Sequence, residues 1–102
     1  MDALAAIAEP TRRRIVDALR LRECTVSELV VALRLSQPAV SKHLRVLREA
    51  GVVRARVRAQ QRVYRLEPEA FQELDAWLAP YRRMWTNHLG ALERHLGSKG
   101  DE

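Results

Sequence analysis

The chain has one cysteine, Cys24, among 102 residues. No internal disulfide can form, so nothing implies an oxidising compartment. No apolar run approaches the length that crosses a membrane. The N-terminal stretch MDALAAIAEP lacks a basic start and a long apolar core, so it does not read as a secretory signal. A cytoplasmic location is expected. There is no internal repeat and no low-complexity segment. Lysine is scarce, with Lys42 and Lys99 the only two. No Ser/His/Asp arrangement, Gly-rich phosphate loop or ligand cluster stands out. The reading is therefore of a protein that is no enzyme and carries no cofactor.

What is present is an apolar and basic chain. Hydrophobic residues make up 47%, a globular rather than a disordered composition. Lys plus Arg number 18 against 13 Asp plus Glu, a net charge of +5. Small basic domains often meet a polyanion, and the arginine fork can bond two phosphate oxygens at once. Charge alone leaves ordinary basic character open as well. The length suits a single domain over 1–102. Its modest core would gain from a dimer interface.

Punctuation divides the chain into short segments. Asp2 is placed to cap an Ala-rich helix ending at Ala8. Pro10 suits the first position of a second helix through TRRRIVDALRLR, with Ile15, Val16 and Leu19 on one face. TVSE, Thr25 to Glu28, has capping-box spacing and opens a third helix with Leu29, Val30 and Leu33 inward. After a brief turn, Ser36 caps a fourth helix with Pro38 in its first turn, and Gly51 marks its end. From Val53 the pattern alternates: Val53, Ala55 and Val57 on one face, Arg54, Arg56 and Arg58 on the other, a half-buried strand. Ala59 to Gln61 forms the tip and Arg62 to Leu66 the return strand. Without Gly or Asn, that tip is expected to be loose. Pro68 starts a long helix over about 68–96. Along it Phe71, Leu74, Leu78, Tyr81, Trp85, His88, Leu92 and His95 recur at helical spacing, beside a second stripe of Ala70, Trp77, Met84 and Ala91. A helix this apolar needs a partner surface. Pro80 removes a backbone donor within it, so a kink or break is expected.

The fourth helix carries the functional signal. On a helical wheel Val40, Leu44 and Leu47 make one core face, and Pro38, Lys42, Arg45 and Glu49 lie opposite. Its first half offers Gln37, Ser41, Lys42 and Arg45 outward, with His43 at the edge and no carboxylate before Glu49. Gln can bond adenine in bidentate fashion, Arg and Lys can bond guanine, and Ser adapts to either. A free helix N-terminus favours phosphate. With the short helix and turn before it, the segment reads as a helix-turn-helix whose second helix enters the major groove. A solvated polar face is the competing reading. Arg54, Arg56, Arg58, Arg62 and Arg65 on one ribbon favour the first, because clustered like charges cost stability until a polyanion relieves them.

The segments EPTRRRIVDAL, TVSELVVAL, LSQPAVSKHLRVLREAGVV and QRVYRL together resemble the ArsR/SmtB family of winged helix-turn-helix repressors, in its order and spacing. The resemblance covers nearly the whole chain. It implies a mainly α fold with a small β-hairpin and dimerisation through the first and last helices. It places a recognition helix at residues 36–50 and a wing at 52–66. It also implies a homodimeric transcriptional repressor, with its own gene one candidate target, on double-stranded DNA carrying an inverted-repeat operator. Ser36, Gln37, Pro38, Ser41, Lys42, His43, Arg45, Arg54, Arg56, Arg58 and Arg62 are then the DNA-binding candidates. Leu4, Ile7, Leu78, Tyr81, Trp85, His88 and Leu92 are the candidates for the dimer interface. No membrane partner is expected, and the effector is unknown.

Many members of that family resemble metal switches. One family site needs two thiolates where this chain has Thr25 and Ser27, and Cys24 alone cannot build a soft-metal site. In another, Asp75 and His88 fit, but Trp77 and Ala91 replace the remaining ligands. The ending instead resembles members without the usual metal sites, and no metal is expected. Two other uses stay open: a redox- or small-molecule-responsive regulator using Cys24 or the dimer interface, and a protein-interaction adaptor.

Overall fold

The computed structural model describes residues 2–100, with side chains through Gly90 apart from Leu89. The interface candidate Leu92, like His95, therefore lies outside the described side chains. Two compact units are present, Met1–Gln72 and Glu73–Glu102.

The first unit holds α1 (Ala3–Ala8), α2 (Pro10–Leu21), β1 (Cys24–Thr25), α3 (Val26–Leu33), α4 (Gln37–Glu49), β2 (Val53–Arg58) and β3 (Gln61–Leu66). It also takes in the opening of α5 (Pro68–Gly100). Each short helix starts on a side-chain cap, which satisfies amide N–H groups that have no partner inside the helix. Asp2 Oδ1 accepts from Ala5 N–H at 2.7 Å, and Glu9 Oε2 from Arg12 N–H at 2.8 Å. Thr25 and Glu28 form a reciprocal capping box, at 3.1 and 2.9 Å. Two of the three consecutive arginines of α2 close other helices. Arg12 Nε donates to Ala6 O, and the Arg14 guanidinium donates to Leu33 O at 2.8 Å.

The core gathers one apolar stripe from each helix. Ile15, Leu29, Val40, Leu44, Leu47, Val52 and Val53 are almost wholly shielded from solvent. Burying a side chain of this size stabilises the fold by about 1.5–3 kcal/mol.

The hairpin is part of a three-stranded antiparallel sheet of order β1-β3-β2. The sequence reading anticipated a hairpin alone. Instead, Cys24 pairs with Tyr64 and Thr25 with Val63. Two residues are too few for a period-two signal, so the extra strand left no pattern. Cys24 is thus a strand residue.

The hairpin tip is tight rather than loose. Arg58 pairs with Gln61, leaving Ala59 and Gln60 to turn the chain. Ala59 takes φ +58°, a left-handed conformation usually given to Gly or Asn.

In the second unit α5 runs without a break through Pro80. The break anticipated as one alternative there does not occur. Trp77, Leu78, Tyr81, Met84 and Trp85 are all exposed. The Trp77 and Tyr81 rings lie 5.1 Å apart, one helical turn from each other. No helix among the described residues is long and apolar enough to cross a membrane.

Candidate nucleic-acid interface

The turn between α3 and α4 sets the aim of α4. Arg34 adopts φ +55° and its N–H donates to Val30 O. Leu35 N–H donates to the same carbonyl at 3.3 Å. Ser36 then reverses direction, its Oγ accepting from Ala39 N–H at 3.2 Å. These bonds make α3-turn-α4 a short rigid helix-turn-helix.

Burial of Val40, Leu44 and Leu47 leaves Gln37, Pro38, Ser41, Lys42 and Arg45 exposed together. No acidic residue occupies the first turn. The guanidinium of Arg45 is 4.0 Å from Glu49 Oε1, a loose exposed pair that leaves it free to turn outward. Ser36 is exposed, but its hydroxyl is engaged as the cap.

His43 sits on the opposite flank from Ser41 and is half-buried. Its Nδ1 is buried without a hydrogen-bond partner and lies 3.8 Å from Glu9 Oε2, too far for a hydrogen bond. That edge of the ring faces the start of α2 and is unavailable to a base. The Arg12 backbone N–H holds the Glu9 carboxyl below the ordinary carboxylate range, with the charges of His43 and Arg12 adding to it.

The wing arginines differ in how they are held. Arg54 faces Arg65 directly across the ribbon and is neutralised by Glu67 at 2.5 Å. Arg56 lies opposite Val63 and pairs with Glu23 at 3.3 Å. Arg58, Arg62 and Arg65 are exposed, and among the described residues no carboxylate pairs with them. The ladder splits the cluster between faces. Arg62 opposes Val57, so it shares a face with Ala55 and Val57, while Arg54, Arg56 and Arg58 take the other. Val57 is 73% exposed, so the alternation legible in the sequence continues past the point where one face is buried.

Three residues of this surface escaped the sequence reading. Glu23 and Glu67 tie down two wing arginines from distant points in the chain, and no spacing rule reports such pairs. Arg48 is exposed in the last turn of α4, on the flank of Gln37 and Ser41. Helical periodicity is the signal that places it there.

Asp75 is paired with Arg82, and among the described residues no three His, Cys, Asp or Glu side chains gather to hold an ion. Cys24 is buried, its thiol 3.5 Å from Arg22 O, whereas a redox thiol needs exposure and activation.

A buried-face helix presenting amides, hydroxyls and cations beside an arginine-rich β-ribbon defines a winged helix-turn-helix, a class that binds duplex DNA. Comparison with known proteins agrees. The family described as "Bacterial regulatory protein, arsR family" matches residues 9–55. The chain is 39% identical to the HTH-type transcriptional regulator Rv2034 of Mycobacterium tuberculosis, over 98% of this chain and 91% of that one. It is 30% identical to the transcriptional repressor SdpR of Bacillus subtilis, over 86% of this chain and 98% of that one. A solved structure described as a possible transcriptional regulator for arsenical resistance superposes with TM-score 0.72 at 39% identity, covering 85% of this chain and 96% of the other. The chain belongs to the ArsR/SmtB family. It is a DNA-binding transcriptional repressor and not an enzyme.

Proposed function

We propose that the protein acts as a homodimer on an inverted-repeat operator, with α4 of each protomer in the major groove and each wing on the flanking backbone. Gln37, Ser41, Lys42 and Arg45 read base edges, and Pro38 and the Ser36 cap set the helix entry. His43 lies at the margin of this surface, with its Nδ1 edge turned toward the start of α2. Arg58 and Arg62 take phosphates, with Arg54 and Arg56 supporting them from their ion pairs. The observation that carries this reading is the acid-free, outward first half of α4 beside a ribbon on which Arg58, Arg62 and Arg65 have no acidic partner among the described residues.

Self-association is assigned to the exposed stripe Leu78, Tyr81 and Trp85 with His88 on α5, and to Leu4 and Ile7 on α1. Single scattered apolar residues are normal on a surface, but a contiguous aromatic stripe marks an interaction site. Two-fold symmetry of the protein then matches the symmetry of the operator.

The test is titration of the protein into labelled DNA from its own upstream region, followed by anisotropy at several salt concentrations, with a scrambled duplex as control. Tight binding to the native duplex, with weaker and salt-steep binding to the scramble, supports an autoregulatory repressor. Equal binding to both rejects autoregulation at that site. An absence of binding at low salt rejects this DNA-facing surface.

A further inference from the structure

Between the last turn of α4 and the wing lies a shallow recess of about 260 Å³, lined by Arg48, Ala55, Arg56, Val57 and Arg62. We propose that Arg48 and Arg62 grip one and the same phosphodiester of the DNA backbone there. This rests on the reading of α4 and the hairpin as the DNA-facing surface.

The two side chains reach the recess from separate elements. Arg62 opposes Val57 in the ladder, so its side chain stands on the face of Ala55 and Val57. Arg48 comes from the helix end, and its position is set by how α4 terminates. Gly51 N–H donates to Arg48 O at 3.0 Å, and Val52 N–H to Leu47 O at 2.9 Å, with Gly51 at φ +77°. That pair of bonds is a Schellman motif. It locks the helix end to Val52, the residue just before β2, so Arg48 and the wing keep a constant spacing.

Their electrostatics mark the recess as an anion site. Arg56 borders it but is engaged by Glu23. Among the described residues no carboxylate pairs with Arg48 or Arg62. Two uncompensated guanidinium groups at one recess repel each other, and an anion between them reverses the sign of that interaction. A guanidinium presents several donors in a planar fork matched to phosphate oxygens, so two of them can share one diester. A contact at this junction fixes the angle between the groove-reading helix and the wing. It reads no sequence itself.

The experiment scans the backbone. A duplex selected by the wild-type protein from a random pool is made with single neutral methylphosphonate linkages at successive positions. Binding is measured for wild type, Arg48→Ala, Arg62→Ala and the double variant, each checked for native circular dichroism. Wild type should lose about five- to tenfold affinity at one linkage per half-site. Both single variants should lose that sensitivity at the same linkage, and the double variant should lose little more. Loss at two different linkages overturns the shared-phosphate proposal, as does a wild-type profile retained by both variants. Chemical-shift changes at Arg48 and Arg62 in inorganic phosphate, with the linkage profile unchanged by either variant, would identify a small-anion site and also overturn it. A pool that yields no bound duplex counts against the DNA-facing surface itself, a failure distinct from these.

Discussion

Arg54 and Arg65 face each other across the β2–β3 ribbon, and Glu67, at the end of the same ribbon, lies 2.5 Å from the Arg54 guanidinium. A like-charge pair directly opposed would destabilise the ribbon. The carboxylate of Glu67, 16% exposed, offsets that repulsion by pairing with Arg54. The wing is therefore less strained without DNA than its arginine count suggests, and its arginines are not equivalent.

This inequality is measurable in salt dependence. Neutralising one phosphate contributes about 0.9 to the slope of log affinity against log salt. Arg58→Ala should lower the slope by about one, whereas Arg54→Ala should lower it by less than half as much. Glu67→Gln should release Arg54, strengthen binding to any duplex, and cost about 1 kcal/mol of stability. Equal slopes for the Arg54 and Arg58 variants, read by anisotropy titration, would refute this division.

Base reading should separate from backbone holding. Gln37→Ala and Arg45→Ala are each expected to reduce discrimination between operator and scrambled duplex by about 1–3 kcal/mol, with the salt slope for scrambled DNA little changed for Gln37→Ala. Uniform weakening on both duplexes would move Gln37 out of the base-reading set.

The capping box before α3 should give an acid-sensitive fold. The Thr25 backbone N–H holds the Glu28 carboxyl below its ordinary range, with the Thr25 hydroxyl and the charges of Arg22 and Arg58 assisting. A lowered folded-state value means the contribution is present above the usual Glu range. It is lost as pH falls through the folded value. Glu28→Gln keeps an acceptor for the cap but cannot titrate. Its urea midpoint should fall less between pH 6 and about pH 3 than that of the wild type. Parallel acid limbs for the two proteins would count against the assignment.

The hairpin tip is open to improvement. Ala59 holds φ +58°, which costs an L-residue roughly 1–2 kcal/mol. Glycine adopts this region freely but loses more entropy on folding. Ala59→Gly should therefore raise stability by about 0.5–1 kcal/mol with an unchanged denaturant slope. A drop in the urea midpoint would show that the turn relaxes in another way.

Dimerisation has its own test. Trp85→Ala removes the largest exposed ring of the α5 stripe and should shift sedimentation toward monomer, weakening operator binding with it. Leu4→Ser on α1 should do the same to a smaller degree. An unchanged dimer in both variants would place the interface elsewhere.

Much of this fold is written locally. Caps at Asp2, Thr25 and Ser36, the stop at Gly51 and the stripes Val40–Leu44–Leu47 are short-range patterns, and helix periodicity with capping chemistry made them legible. The outward face of α4 followed directly, because a helix that buries one stripe must expose the other. The alternation from Val53 likewise showed where β2 begins. What the tertiary structure alone decided is every relation between distant points. Cys24 and Thr25 became a strand only because β3 offered an edge. Glu67 and Glu23 chose among the wing arginines, and Glu9 met the ring of His43 across the gap between two helices. Arg48 met the wing because α4 ends in a locked turn. Such pairings depend on where packing brings chain segments together, and hydrophobic burial, which drives that packing, has no direction of its own.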